Sequence, residues 1–385
     1  METRRLPLDG VRVLDFSRVI AGPTCSMALG DLGADVIKVE HPDRGDDTRD
    51  YGLRVGRTET TYFNSMNRNK RSITLDLQRE EDRDTARELV RQCDVVVQNF
   101  KAGGMAKMGL AYEDLKAIKP DIVYCSITGY ASDGMEAQRP GYDIVIQGEA
   151  GLMAINGDAH LPPLKFGTAI VDMVTGLYAA QAVLAALFDR QRTGKGRHIE
   201  MALFDCGVMI TAFYGLDALL TGKDPARCGN NHPSIVPYGV FDAADGPLVI
   251  AVGNNAQFGR FCGILGRPEL ADDERFRTNI LRSTNRQALV PILMEEVRQR
   301  SQDQLLVQLA EAGIPSGKVL GLLEALTSGR AQEAGLVTVQ PHPDAGQTHV
   351  LSSPYRVDGE RLGVRLPPPQ LGAHSREVLE QLLGR

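Results

Sequence analysis

Tryptophan is absent from the 385 residues, and aromatic residues of all kinds make up 5 %. A surface that stacks nucleobases needs more than this. Positive charge is not in excess either. The 43 Lys and Arg face 49 Asp and Glu, for a net charge of −6. That argues against nucleic acid as the main partner and leaves room for local basic pockets. Cysteine is sparse: Cys25, Cys93, Cys125, Cys206, Cys228 and Cys262 form no CxxC or CxxH pair. Neither a zinc site nor a disulfide framework is indicated, and Cys93 and Cys125, beside apolar runs, read as small core residues. The stretch METRRLPLDG lacks the apolar core of a leader. No apolar run reads as long enough to span a bilayer, so the expectation is a soluble, cytoplasmic chain. Repeats, low-complexity tracts and long charge blocks are missing too.

Apolar residues at 43 % and charged residues at 24 % suit a globular protein, and the length favours two domains. The first part alternates strands and helices. VRVLDF (11–16), DVIKVE (35–40), SITLDL (72–77), DVVVQ (94–98), DIVYCSITGY (121–130) and HIEMALF (198–204) read as strands. CSMALGDLG, 79–92, 112–119, 143–153 and 205–220 read as helices. Such alternation predicts a doubly wound α/β sheet. Glu40, ending the second strand, sits where dinucleotide-binding folds place a ribose-binding acid. The first turn, however, reads RVIAGP and not G-x-G-x-x-G, which disfavours a nicotinamide cofactor and an oxidoreductase. From about 225 the pattern changes: two strand runs, 238–243 and 247–252, flank a turn, and helical patterns fill 256–312. This predicts a smaller α+β domain.

One stretch combines a turn, a carboxylate and a long apolar run: LKFGTAIVDMVTGLYAAQAVLAALFDRQRTG, residues 164–194. Asp172 stands where an extended segment becomes a helix. Its plain reading is a helix N-cap, because Asp is favoured where the first N–H groups lack partners.

Several segments, in order along the chain, carry a resemblance: LDGVRVLDFSRVIAGP, LGDLGADVIKVE, GDDTR, NRNKRSITLDL, VVQNF with KMGL, SITGY, RPGYD, TGLYAA with TGKGR, and PPPQLGAHS. Together they resemble the family III coenzyme A transferases of CaiB/BaiF type. The resemblance implies a large Rossmann-like domain built from 1–224 and 326–385, a small α+β domain over 225–325, and an interlocked homodimer. It also implies that Asp172 is a nucleophile, since the family places its reactive Asp a few residues before a T-G or S-G pair.

The chemistry so implied is transfer of CoA between carboxylic acids, with no permanently bound cofactor and no metal. An enzymic carboxylate splits the exchange into covalent steps, through an aspartyl anhydride and an aspartyl-CoA thioester. Asp is ordinarily ionised at neutral pH. Carried over by position, the CoA contacts fall on Val19, Ile20, His41, Leu75, Asn99, Phe100, Lys101, Lys107, Arg139 and Tyr142. The formyl-CoA transferase branch has Arg where this chain has His41 and Lys107, which replaces bidentate grips by point contacts. Arg44 lies close enough in sequence to compensate. That branch also has Gln at the position of Ile20 and a four-glycine loop that this chain lacks, which puts formate and oxalate in doubt.

GNNHPSIVPY and VIAVGNNAQF are similar to the branch that handles succinyl-CoA and dicarboxylates such as glutarate. Asn230, His232, Ser234, Asn254 and Asn255 are the residues that would meet the acceptor's distal carboxylate; as plain structure they would be turn residues of a hairpin. One alternative in the same family is an α-methylacyl-CoA racemase, which has a His in a G-H-D triplet. Here the triplet is Gly141-Tyr142-Asp143, and a phenol is a poor general base at neutral pH. An alternative of another class is a non-catalytic acyl-CoA-binding protein.

Overall fold

A computed structural model describes residues 5–385; Met1–Arg4, part of the stretch read as lacking a leader, lie outside the described residues. The chain forms two compact units. The first takes the described residues through Leu152, then Lys165–Gly215 and Leu326–Arg385. The second takes Met153–Leu164 and Leu216–Ala325. Its start at Leu216 differs from the sequence boundary at 225, and it gains the segment Met153–Leu164.

The first unit is built on six parallel strands: β1 (Arg12–Asp15), β2 (Asp35–Glu40), β3 (Lys70–Thr74), β4 (Val95–Gln98), β5 (Val123–Thr128) and β6 (Arg197–Ala202). Their order is β3-β2-β1-β4-β5-β6, the doubly wound arrangement whose order reverses between β1 and β4. Val95, Val96 and Val97 are fully buried because helices cover both faces. The 72–77 run is corrected to β3 at Lys70–Thr74: the chain pairs through Lys70 and Arg71, whose long side chains carry buried hydrogen bonds that an apolar pattern does not reveal.

Two helices predicted as continuous are broken. The 143–153 helix is Asp143–Glu149 and Leu152–Ile155, separated at Gly151. The 205–220 helix is Leu203–Ile210 and Ala212–Thr221, bent by 77° where Ala212 takes φ +49°.

The central helix, Ile170–Thr193, runs for 24 residues. Its hydropathy and length reach those of a membrane span, contrary to the sequence expectation, and half of that window is buried inside the protein. Ala179, Ala180 and Val183 join the core formed by Val13, Cys25, Leu29, Val97 and Cys125. Contact with the first helix, Ala21–Asp31, is closest at Gly176: a Cβ there would lie 2.4 Å from the Ala21 carbonyl oxygen and 2.6 Å from Thr24 Cβ. Only hydrogen fits.

The second unit holds a three-stranded antiparallel sheet in the order β7 (Tyr238–Ala243), β8 (Gly246–Ala251) and β9 (Ser316–Lys318). Leu248, Ile250, Phe258, Phe261, Leu289, Leu293 and Leu305 form its own core.

Candidate active site

Open α/β sheets bind ligands beyond the carboxyl ends of their strands at the point where strand order reverses. Here that point lies above β1 and β4, and the turn after β1 is held by an unusual buried network. Asp15 Oδ1 accepts from Ser17 N–H and Oγ–H at 2.9 and 2.5 Å, and its Oδ2 accepts from Ser26 Oγ–H at 2.5 Å and Lys70 Nζ at 3.1 Å. Lys38 Nζ donates to the Ser17 carbonyl at 2.8 Å and pairs with Asp46 Oδ2 at 2.9 Å. All four charged side chains are out of contact with solvent. Burial draws the Lys70 ammonium down to about 8 against the pull of Asp15. It works against charge at Asp15 too, yet Lys70 and Lys38 hold that carboxyl below its usual range.

The network fixes Val19 at φ +69°, a conformation that costs a β-branched residue about 1–3 kcal/mol. Asp46 Oδ1 accepts the Val19 N–H at 3.2 Å, and Asn99 clamps the preceding residue, accepting from Arg18 N–H at 2.8 Å and donating to the Arg18 carbonyl at 2.7 Å. The turn is therefore preset from both sides.

Two clefts flank it. The first, about 300 Å³, is lined by Val39, His41, Arg44, Leu75, Phe100 and Met108. The second, about 510 Å³, is lined by Val19, Asn99, Lys101, Lys107, Arg139 and Tyr142. Of the ten residues named from sequence for CoA, nine line one cleft or the other; Ile20 is buried at the N-cap of the first helix. Two neighbours are already engaged. Glu40 takes both Arg49 nitrogens at 2.7 and 2.8 Å and the Ser72 hydroxyl at 2.6 Å, so it is not a free ribose acceptor. Arg139 pairs with Glu136 and Glu149 and lies 5.0 Å from the Tyr130 ring centroid.

Asp172 corrects the sequence picture. The helix is capped at Ala169, and Asp172 is the third residue of its first turn, with no capping bond of its own. The capping carboxylate is Asp143. Its Oδ1 accepts from Val171 N–H at 2.8 Å and Asp172 N–H at 3.3 Å, while Oδ2 accepts from Gln147 Nε2 at 2.5 Å. Gln147 in turn accepts the Phe166 N–H at 2.8 Å. Asp172 is 8 % exposed, and burial, followed by the charge of Asp143, pushes its carboxyl up to about 7. The expectation of an Asp ordinarily ionised at neutral pH is therefore corrected to a carboxyl that titrates at about 7. Tyr62 shares this field: burial and the charges of Asp172 and Asp143 raise its phenol, and its ring meets Tyr51 edge-on at 5.6 Å.

Sequence reasoning passed over Asp143, Tyr62 and Arg18. The first stood inside the triplet read only for Tyr142. Gly141 and Gly129 pack backbone to backbone, a Cβ on either falling within 2.7 Å of the other's Cα. That contact delivers Tyr142, 60 % exposed, to the second cleft and Asp143 to the helix beneath.

In the second unit four of the five residues named for the acceptor, Asn254, Asn255, His232 and Ser234, have structural partners. Asn254 caps the helix Asn255–Ile264 through Gln257 N–H at 2.9 Å. Asn255 accepts from the buried Arg282 at 3.1 Å. His232 Nδ1 accepts from Ser234 N–H at 3.1 Å and Ile235 N–H at 3.0 Å, closing that turn. Asn230 is exposed in the same loop. His232 also lines a pocket of about 330 Å³ with Ile235, Phe241, Arg286 and Val290.

Comparison with known proteins gives a consistent result. The model of CoA-transferase family III matches residues 8–375. The succinyl-CoA:glutarate CoA-transferase of Mus musculus is 42 % identical over 377 residues, 98 % of this chain and 86 % of the relative. The succinate–glutarate CoA-transferase of Agrobacterium fabrum is 39 % identical, covering 99 % of this chain and 97 % of the relative. Among solved structures, a CaiB/BaiF family protein from Brucella suis is 43 % identical with a TM-score of 0.86, covering 98 % of this chain and all of that one.

Proposed function

Because the chain belongs to family III of the CoA-transferases, we propose that it carries CoA from succinyl-CoA to a dicarboxylate of the glutarate class, with Asp172 as the group that is acylated. The transferase activity follows from relatives at 39–42 % identity over nearly the whole chain. The acid pair rests on what those relatives are named for. The observation that carries the role of Asp172 is its setting: a buried carboxylate in the first turn of a helix, whose basicity is raised by burial and by the charge of Asp143 beside it.

Carboxylate exchange needs no net proton transfer. An oxygen of ionised Asp172 attacks the thioester carbonyl; the C–S bond breaks and the electron pair leaves on the CoA thiolate. The product is a mixed anhydride. The thiolate then attacks the aspartyl carbonyl, the anhydride C–O bond breaks, and succinate departs. The acceptor carboxylate repeats both steps in reverse, which regenerates Asp172. Desolvation and the adjacent charge make the aspartate a stronger base, and so a better nucleophile, than a solvated carboxylate.

CoA would lie across the two clefts, its adenine against Leu75 and Phe100 and its phosphates near His41, Arg44, Lys101 and Lys107. Tyr142 in place of the racemase histidine supports transfer over racemisation. We also propose a homodimer. Leu177 and Phe188 on the central helix and Met209 and Phe213 on the following helices expose apolar surface of the kind that interfaces cover.

The test is an acceptor panel with succinyl-CoA as donor, run beside hydroxylamine trapping. Turnover of glutarate-like diacids, with a hydroxamate or a CoA adduct on Asp172, is expected. Turnover of monocarboxylates alone defeats the acceptor assignment, and an active Asp172→Ala defeats the mechanism.

A further inference from the structure

The two clefts share three lining residues: Arg18, Asp47 and Phe100. One of these is a cation, and it stands where a ligand occupying both clefts must cross. Resting on the CoA-transferase reading above, we propose that Arg18 grips the pyrophosphate of CoA at the crossing, and that Asp47 holds the guanidinium ready until the phosphates displace it.

The geometry supports a built site. Arg18 follows the carboxyl end of β1, at the reversal of strand order where open sheets bind ligands. Its main chain is clamped on both sides by Asn99, so the side chain departs from a fixed point. The guanidinium lies 5.5 Å from the Phe100 ring centroid, which limits its rotation. Its ion pair with Asp47 is long, at 3.3 Å, and both side chains are nearly half exposed. Such a pair is weak and readily exchanged.

The other basic side chains are divided between the clefts, His41 and Arg44 in the first and Lys101, Lys107 and Arg139 in the second, where Arg139 is already engaged by Glu136 and Glu149. Arg18 belongs to both. A planar fork matches two oxygens of a diphosphate where an ammonium meets one. It therefore supplies a bidentate contact at the crossing itself, where Arg18 is the one arginine that lines both clefts among the described residues. The direction of the ligand follows from the second cleft, which ends at Tyr142 beside the Asp143–Asp172 pair and so takes pantetheine; the first, with Val39, Leu75 and Phe100 in its wall, takes the adenosine end.

The experiment compares wild type, Arg18→Gln, Arg18→Lys and Asp47→Asn. Binding of CoA and of 3′-dephospho-CoA is measured by calorimetry, and kcat/KM with S-succinylpantetheine, which carries no phosphate. Circular dichroism and thermal melts verify folding. Arg18→Gln should weaken CoA and dephospho-CoA by the same factor, about tenfold to a hundredfold. It should leave S-succinylpantetheine within about twofold. Arg18→Lys should recover part of the loss, and Asp47→Asn should tighten both nucleotides severalfold. If dephospho-CoA binding is untouched while CoA weakens, Arg18 reads the 3′-phosphate and the proposal fails. It fails equally if the phosphate-free substrate suffers as much as CoA, or if Asp47→Asn weakens binding. Absence of CoA binding by folded wild type is a separate result, which overturns the transferase reading itself.

Discussion

Asp143 and Asp172 are joined by a hydrogen bond from main chain to side chain and opposed by charge. Asp143 Oδ1 accepts the Asp172 N–H at 3.3 Å, while its negative charge adds to burial in raising the Asp172 carboxyl to about 7. One residue thus fixes the place of the other and keeps its carboxylate basic. The two effects are separable, because an amide oxygen accepts the same N–H bond without the charge.

Asp143→Asn is expected to preserve the helix cap and remove the repulsion. The limb of the rate profile that depends on ionised Asp172 should then move to lower pH, because the like charge that disfavours the ionised form is gone. The maximal rate should fall as the nucleophile becomes less basic. A pH profile of kcat/KM measures both. A limb that stays in place would show that burial alone sets the basicity of Asp172.

A raised carboxyl also has a consequence for folding. The unfolded chain ionises Asp172 near the ordinary aspartate value of 3.8, whereas the folded chain holds the proton until about 7. Between these values the folded state binds more protons, so this group's contribution to stability is lost as pH rises through that window. Asp172→Asn removes the penalty. Its melting temperature should exceed that of wild type by a few degrees at pH 8 and by much less at pH 5, while transfer activity disappears. Equal melting curves at both pH values would contradict the assignment of a buried, uncompensated carboxylate.

The parallel sheet was legible because each central strand is a short apolar run between turns. DVIKVE matches β2 residue for residue, and DVVVQ starts one residue before β4. What was not legible is non-local. The cap of the Asp172 helix comes from a residue 29 positions earlier, and no local pattern announces it. Lys38 and Lys70 read as ordinary charges in or beside strands; only the fold removes them from water and supplies Asp46 and Asp15. Asn254 and His232, read for their donors, turned out to satisfy neighbouring main-chain groups, as short polar side chains at turns do. The residues carried over for CoA came from the family resemblance and not from any local pattern; nine of the ten line the two clefts.

The buried network makes a quantitative claim about the Val19 turn. Lys38→Met removes one partner and leaves Asp46 as an unpaired buried carboxylate, which costs about 3–5 kcal/mol. Urea denaturation should show that loss. The double variant Lys38→Met/Asp46→Leu should recover much of it, because no charge is then stranded, but it also releases the Val19 N–H held at 3.2 Å. CoA affinity is expected to remain impaired in the double variant even where stability returns. Recovery of both together would mean that the network only supports the fold.

Glycine substitution at two helical positions separates propensity from packing. Replacing Gly by Ala in a helix gains about 0.5–1 kcal/mol where nothing obstructs the new methyl group. Gly259, in the helix Asn255–Ile264, has no heavy atom within 4 Å of the added Cβ, so Gly259→Ala should stabilise by that amount. At Gly176 the same methyl would lie 2.4 Å from the Ala21 carbonyl oxygen. That oxygen is main chain and cannot swing aside, so the helices must separate, at a cost of about 1–3 kcal/mol that exceeds the propensity gain. Gly176→Ala should therefore destabilise. It should also lower kcat, because Asp172 is one helical turn away and moves with the helix, whereas Gly259→Ala should leave kcat unchanged. Chemical denaturation and initial rates on the two variants give opposite signs of stability change if helix packing, and not helix propensity, sets the position of the nucleophile.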